Sequence, residues 1–128
     1  MTDLLELAAR VEGLTGPDRE VDALVWLHLP EQAGHAWKHD GNKKAHARQI
    51  AGVPFVPVYT ASVDHALKLV PNGAWAEGSL GSHVDRRSSL EIHKPCTYDP
   101  IGRATAATPA LALVSACLRA RAHGGGEG

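Results

Sequence analysis

The chain has 128 residues, 44% of them apolar, and a formal net charge of −1 with its eight histidines neutral. That length suits a single domain able to bury a core without metal or disulfide staples. The near-zero charge argues against a whole-protein field for holding nucleic acid, while leaving room for a local basic patch. With one Phe, two Tyr and three Trp, the core has to be assembled chiefly from Ala, Leu and Val, which favours closely packed helices.

The first element is a helix over residues 3–14, with Leu4, Leu7, Ala8, Val11 and Leu14 on one face. Thr15-Gly16-Pro17-Asp18 stops and restarts the chain, with Pro17 near the first helical position and acids in the first turn. Val21, Leu24, Val25 and His28 make a second apolar stripe that Pro30 ends, so residues 3–29 read as a helical hairpin. Residues 31–58 hold three glycines and two prolines among basic and histidine side chains and read as a long loop, with an extended segment at Val53–Val58.

Ser62 is placed to cap a helix over 62–70 with Val63, Ala66, Leu67 and Val70 inward, and Pro71-Asn72-Gly73 stops it. Residues 74–80 alternate, with Trp75, Glu77 and Ser79 on one side; residues 89–93 alternate with Leu90 and Ile92 inward. These two predict a hairpin around a polar turn at Gly81–Ser88. Tyr98–Gly102 reads as a loop and Arg103–Ala106 as a short third strand. Thr108-Pro109 is a strong helix start, and the run Ala110–Leu118 is apolar all round, the mark of a helix buried on more than one side. Residues 124–128 are a flexible glycine-rich tail. The two cysteines are Cys96, after Pro95 at a strand end, and Cys117 inside the apolar helix, which points to a buried thiol in a reduced, cytoplasmic protein. Met1–Glu6 lacks the basic start and apolar stretch of a secretory leader, and no apolar run reaches the roughly 18 residues of a membrane span.

Three segments carry a family likeness: Val11–Ala23, Tyr59-Thr-Ala-Ser-Val-Asp-His-Ala-Leu-Lys-Leu-Val-Pro71 with the Trp75 strand after it, and Ala107-Thr-Pro-Ala-Leu-Ala-Leu-Val-Ser-Ala-Cys-Leu-Arg-Ala120. Together they resemble the phage ABA sandwich domain family, small proteins of phages and prophages with helix layers on both sides of a small sheet. The resemblance rests on helix caps and core stripes. It implies a phage or prophage origin and an accessory role, and it supplies no catalytic residues.

The candidate chemistry is thin. His35 and His39 have the i, i+4 spacing that zinc sites use, but Gly34 and Gly41 disfavour a helix there and no Glu follows the first His, as a metalloprotease helix needs. His83-Val-Asp85 falls in a polar turn, and Gly78-Ser79-Leu80-Gly81 is not a nucleophile elbow. His93 and Lys94 stand near Cys96, but they lie on opposite faces of one strand. The surface with most to offer is basic: Trp37, Lys38, His39, Lys43, Lys44, His46 and Arg48, joined by Arg86 and Arg87. Such a patch suits phosphates or an acidic groove on a partner protein.

The expectation is therefore one α+β domain over residues 1–123, a small antiparallel sheet sandwiched by helices in α/β/α layers, with an N-terminal helical hairpin. The expected function is a phage- or prophage-encoded, non-enzymatic accessory protein acting in the host cytoplasm. It binds a host protein and, in the form favoured here, inhibits a defence complex in the manner of an anti-CRISPR protein. A sequestering protein for a small ligand or nucleotide, or an RNA- or DNA-binding module, are the alternatives. No cofactor, metal or catalytic residue is expected.

Overall fold

The computed structural model describes residues 2–29, 56–71, 73–79, 87–94 and 100–123. Most of the long loop at 31–58, the turn residues 81–86, Cys96 and the tail at 124–128 lie outside the described residues. The fold is α+β, with a helix pair near the N-terminus and a three-stranded antiparallel sheet.

Helix α1 (Thr2–Glu12) buries Leu7, Ala8 and Val11, with Leu4 and Leu14 packed at the margin, the stripe that the 3.6-residue period predicts. Helix α2 (Arg19–Leu27) starts differently from expectation. Its N-cap is Asp18, whose carboxylate accepts from the N–H groups of Glu20 and Val21, so Pro17 stands outside the helix. Nor is α2 a one-sided stripe: every residue from Val21 to Leu27 is buried, Asp22 included.

Asp22 is held by an ordered set of partners. One oxygen accepts from the Thr60 N–H at 2.8 Å and the Thr60 hydroxyl at 2.7 Å; the other accepts from Arg19 at 2.9 Å. Arg19 also donates to the carbonyls of Val56 and Pro57. The Asp18 N–H donates to the Thr60 hydroxyl oxygen. The segment Val56–Thr60 is thereby tied to the start of α2, with Val56, Tyr59 and Thr60 buried.

Ser62 caps the next helix as expected, its hydroxyl accepting from the His65 N–H. The helix itself is shorter than the pattern implied. One turn of α-helix, α3 (Val63–Ala66), tightens into a 3₁₀ turn at Leu67–Leu69. The tightening changes the inward set, because a 3₁₀ turn stacks residues three apart. Ala66 and Leu69 are fully buried, whereas Val63 and Leu67, both expected inside, are 41% and 48% exposed. Gly73 (φ 81°) then occupies the third position of a turn closed by the Ala74 N–H on the Pro71 carbonyl, where a side chain would be strained.

The sheet runs in the order β1 (Trp75–Ser79), β2 (Ser88–His93), β3 (Pro100–Ala106). Strand β3 starts three residues earlier than the sequence suggests; proline is tolerated at the first strand position, so Pro100-Ile101-Gly102 joins the strand rather than a loop. The register pairs Ala76 with Ile92 and Gly102, and Gly78 with Leu90 and Ala104, which sets those residues, with Ser88 and Ala106, on the inner face. An irregularity between Ile92 and His93 shifts the pairing so that His93 faces Pro100.

Helix α4 (Pro109–His123) covers that inner face. Thr108 caps it, its hydroxyl accepting from the Leu111 N–H, with Pro109 as the first helical residue. Residues 110–118 are all buried, as an all-round apolar helix requires: α4 lies along β2 and β3, and α1 packs along α4 and reaches β3. Arg121 donates to the Leu69 carbonyl at 2.8 Å and so fastens the 3₁₀ turn to α4. Cys117 is a free thiol inside this helix, and burial pushes its pKa to about 12 against the opposing pull of Arg121. Among the described residues, no helix is long and apolar enough to cross a membrane.

A Cβ at Gly102 would meet the Ala116 carbonyl oxygen and lie 2.6 Å from the Ala120 amide nitrogen and 2.9 Å from the Ala120 Cβ, so the strand and α4 would have to separate. Gly102→Ala is expected to cost about 1–3 kcal/mol, read as a lowered urea midpoint. Asp22→Ala leaves Thr60 and part of Arg19 unsatisfied and is expected to cost about 3 kcal/mol. Asp22→Asn keeps an acceptor for Thr60 and is expected to cost less in the same titration.

Candidate functional site

The outer face of the sheet collects what α4 leaves uncovered. Alternation sends Trp75 and Glu77 of β1, Ser89, Glu91 and His93 of β2, and Arg103 and Thr105 of β3 to that side. The register makes Trp75 and His93 direct partners and places Glu77, Glu91 and Arg103 in one cross-strand row. Trp75 stacks on the His93 ring, with centroids 4.3 Å apart and planes 13° from parallel.

The His93 ring is thereby fixed in orientation, and it is only 3% exposed. Its Nε2 lies 3.2 Å from Glu77 Oε1 and 3.4 Å from Glu91 Oε1. Glu91 turns its other oxygen to the Arg103 guanidinium. Glu77 and Glu91 are therefore like charges directly opposite each other on adjacent strands, an arrangement that destabilises a sheet unless something positive stands near. Arg103 answers for one oxygen of Glu91. The oxygens facing His93 form, with Nε2, a set of three donor atoms all within 4.8 Å of one another. The rim is open: the side chains of Glu77 and Arg103 are 53% and 66% exposed.

The sequence expectation of a basic contact surface is placed only in part. Trp37, Lys38, His39, Lys43, Lys44, His46, Arg48 and Arg86 lie outside the described residues, as do His35, His83 and Asp85. Arg87 is described: it is exposed at the start of β2, donates to the Thr105 carbonyl at 3.2 Å and helps hold the charge on Glu12. Glu77, Glu91 and Arg103 were not singled out in the sequence as site residues, and His93 was weighed only as a neighbour of Cys96. Their signal was present, since alternation already put Trp75 and Glu77 on one side and left Glu91 and His93 opposite Leu90 and Ile92. What alternation lacks is the register that sets Glu77 beside Glu91.

A second polar cluster joins α1 to α4. The Ser115 hydroxyl shares its one proton between the Glu12 carboxylate at 2.6 Å and the Ala8 carbonyl at 3.1 Å, and Arg119 grips Glu12 with two bonds of 2.7 and 2.9 Å. Ser115 is fully buried and its hydroxyl is occupied by these two acceptors, which gives it a structural rather than a nucleophilic place. A shallow open pocket is lined by Ile101, Gly102, Arg103 and Arg119. Both of its guanidinium groups already pair with carboxylates, Glu91 and Glu12, so it offers an anionic ligand little charge to spend.

No family model, no curated protein and no solved structure matches the chain. The likeness to phage ABA sandwich proteins therefore rests on the three sequence segments alone.

The Glu12 cluster carries a pH dependence. Burial raises the Glu12 pKa, but the hydrogen bonds from Arg119 and Ser115 and the charges of Arg119 and Arg87 outweigh it, and the net value is lowered. A carboxyl whose folded pKa is depressed stabilises the fold above its unfolded pKa, and that stabilisation is lost as pH falls through the folded value. The protein is expected to lose stability as pH drops below 4.5, the ordinary value of a glutamate carboxyl. Glu12→Gln should be less stable at neutral pH and show a flatter acid limb, measured as Tm against pH.

Proposed function

We propose that the protein is a non-enzymatic accessory protein of phage or prophage origin that binds a host protein, a defence complex being the partner class, in the host cytoplasm. The observation that carries this reading is the two-faced sheet. Its inner face is committed to α4, while its outer face presents Trp75, Arg103 and Glu77 on a strand framework. Trp and Arg are the residue types that dominate binding energy at protein contacts. A strand surface with mixed charge suits a protein partner better than a nucleic-acid backbone, which asks for unpaired cations. The phage resemblance supports the source, and the basic stretch around Lys43 and Lys44 supports an acidic partner surface.

The test is retention of host lysate on the immobilised full-length protein at low and moderate salt, with bound proteins identified by mass spectrometry. The expected result is one stoichiometric host protein that survives moderate salt, with Arg103→Glu weakening its binding about tenfold or more by titration. Lys43→Glu with Lys44→Glu tests the contribution of the basic stretch. Retention of nothing specific, or of nucleic acid that salt removes, would overturn the reading.

A further inference from the structure

We propose that Glu77, Glu91 and His93 form a binding site for a divalent transition-metal ion on the outer face of the sheet. The inference goes beyond the partner-binding reading and stands without it, because it rests on donor geometry alone.

Bonds of about 2.1 Å from zinc to imidazole nitrogen and carboxylate oxygen, at the tetrahedral angle, set neighbouring donors about 3.4 Å apart. The His93 Nε2 lies 3.2 Å from Glu77 Oε1 and 3.4 Å from Glu91 Oε1. The two separations from nitrogen to oxygen are thus already those of ligands sharing an ion. Two carboxylates and a neutral imidazole carry a charge of −2, which a divalent ion cancels. The same ion would relieve the opposition of Glu77 and Glu91 across the strand pair.

The surroundings act as a supporting shell does in metal sites. Arg103 takes the second oxygen of Glu91 and so aims the first at His93. Trp75 stacks on the His93 ring and fixes its plane. The buried imidazole supplies a fixed donor, whereas the half-exposed Glu77 supplies a movable one that closes on an ion arriving from solvent. Three protein ligands leave a fourth position open for water or for a donor atom of a partner. An imidazole among the ligands selects zinc and its transition-metal neighbours over magnesium and calcium, which favour oxygen alone.

The experiment is calorimetric titration of zinc into the metal-stripped full-length protein, with cobalt absorption as a second readout of a four-coordinate nitrogen–oxygen site. His35, His39 and His46 could hold zinc on their own, so a variant with those three changed to Asn is titrated alongside. The expected result is one zinc per chain in that variant, not displaced by excess magnesium, and weakened at least tenfold by Glu77→Gln and by Glu91→Gln. Glu77 is exposed enough that its variant should fold, which its metal-free Tm verifies. Three results would overturn the proposal: no binding in the triple-Asn variant at about 1 mM zinc, binding that Glu77→Gln leaves unchanged, or displacement of the zinc by excess magnesium.

Discussion

A buried carboxylate organises the N-terminal half of this protein. Asp22 has no contact with water, and an ion in that position is tolerated only when its lone pairs are met. Thr60 and Arg19 meet them, and in doing so they fix where Val56–Thr60 runs relative to α2. Everything after that point inherits the position. The Val58 N–H donates to His65 Nδ1, Val58 also accepts from Ala61 and Ser62, and Ser62 starts α3. From there Leu69 is fastened to α4 through Arg121. A chain of short polar links thus runs from the first helix pair to the last helix, threaded through an otherwise apolar interior.

The apolar part depends on small residues. Gly102, Ala104 and Ala106 on the inner face of β3 meet a helix whose Ala116 and Ala120 leave no room for a further carbon beside Gly102. Close approach of helix and strand replaces bulky side chains as the source of packing density, which fits a chain with so few aromatic residues. Ser115 inside α4 is compatible with that interior because Ala8 and Glu12 occupy its hydroxyl.

How much of this was legible in the sequence depended on range. Features set by neighbours a few residues apart came through: the Ser62 and Thr108 caps, the α1 stripe, the alternation of β1 and β2, and the all-round burial of α4. Features set by distant partners did not. Asp22 looks like the solvent side of a helix until Thr60, 38 residues away, is placed against it. The inward set of α3 depends on whether its second turn is α or 3₁₀, a small energy difference settled by packing. The Glu77–Glu91–His93 group needs a hairpin register, and a shift of one residue would have separated it.

The pairing of α1 with α4 bears on how the chain folds. Ser115 reaches the Ala8 carbonyl across 107 residues of sequence. Closing a loop of that span is slow compared with forming either helix, so the topology makes the joining of α1 and α4 a late and entropically costly event. On the ribosome, at ordinary elongation speeds, the partner of Ala8 is synthesised roughly 5–20 s after it. During that interval Leu7, Ala8 and Val11 have no α4 to cover them, which makes the nascent N-terminal segment a natural point of engagement for chaperones.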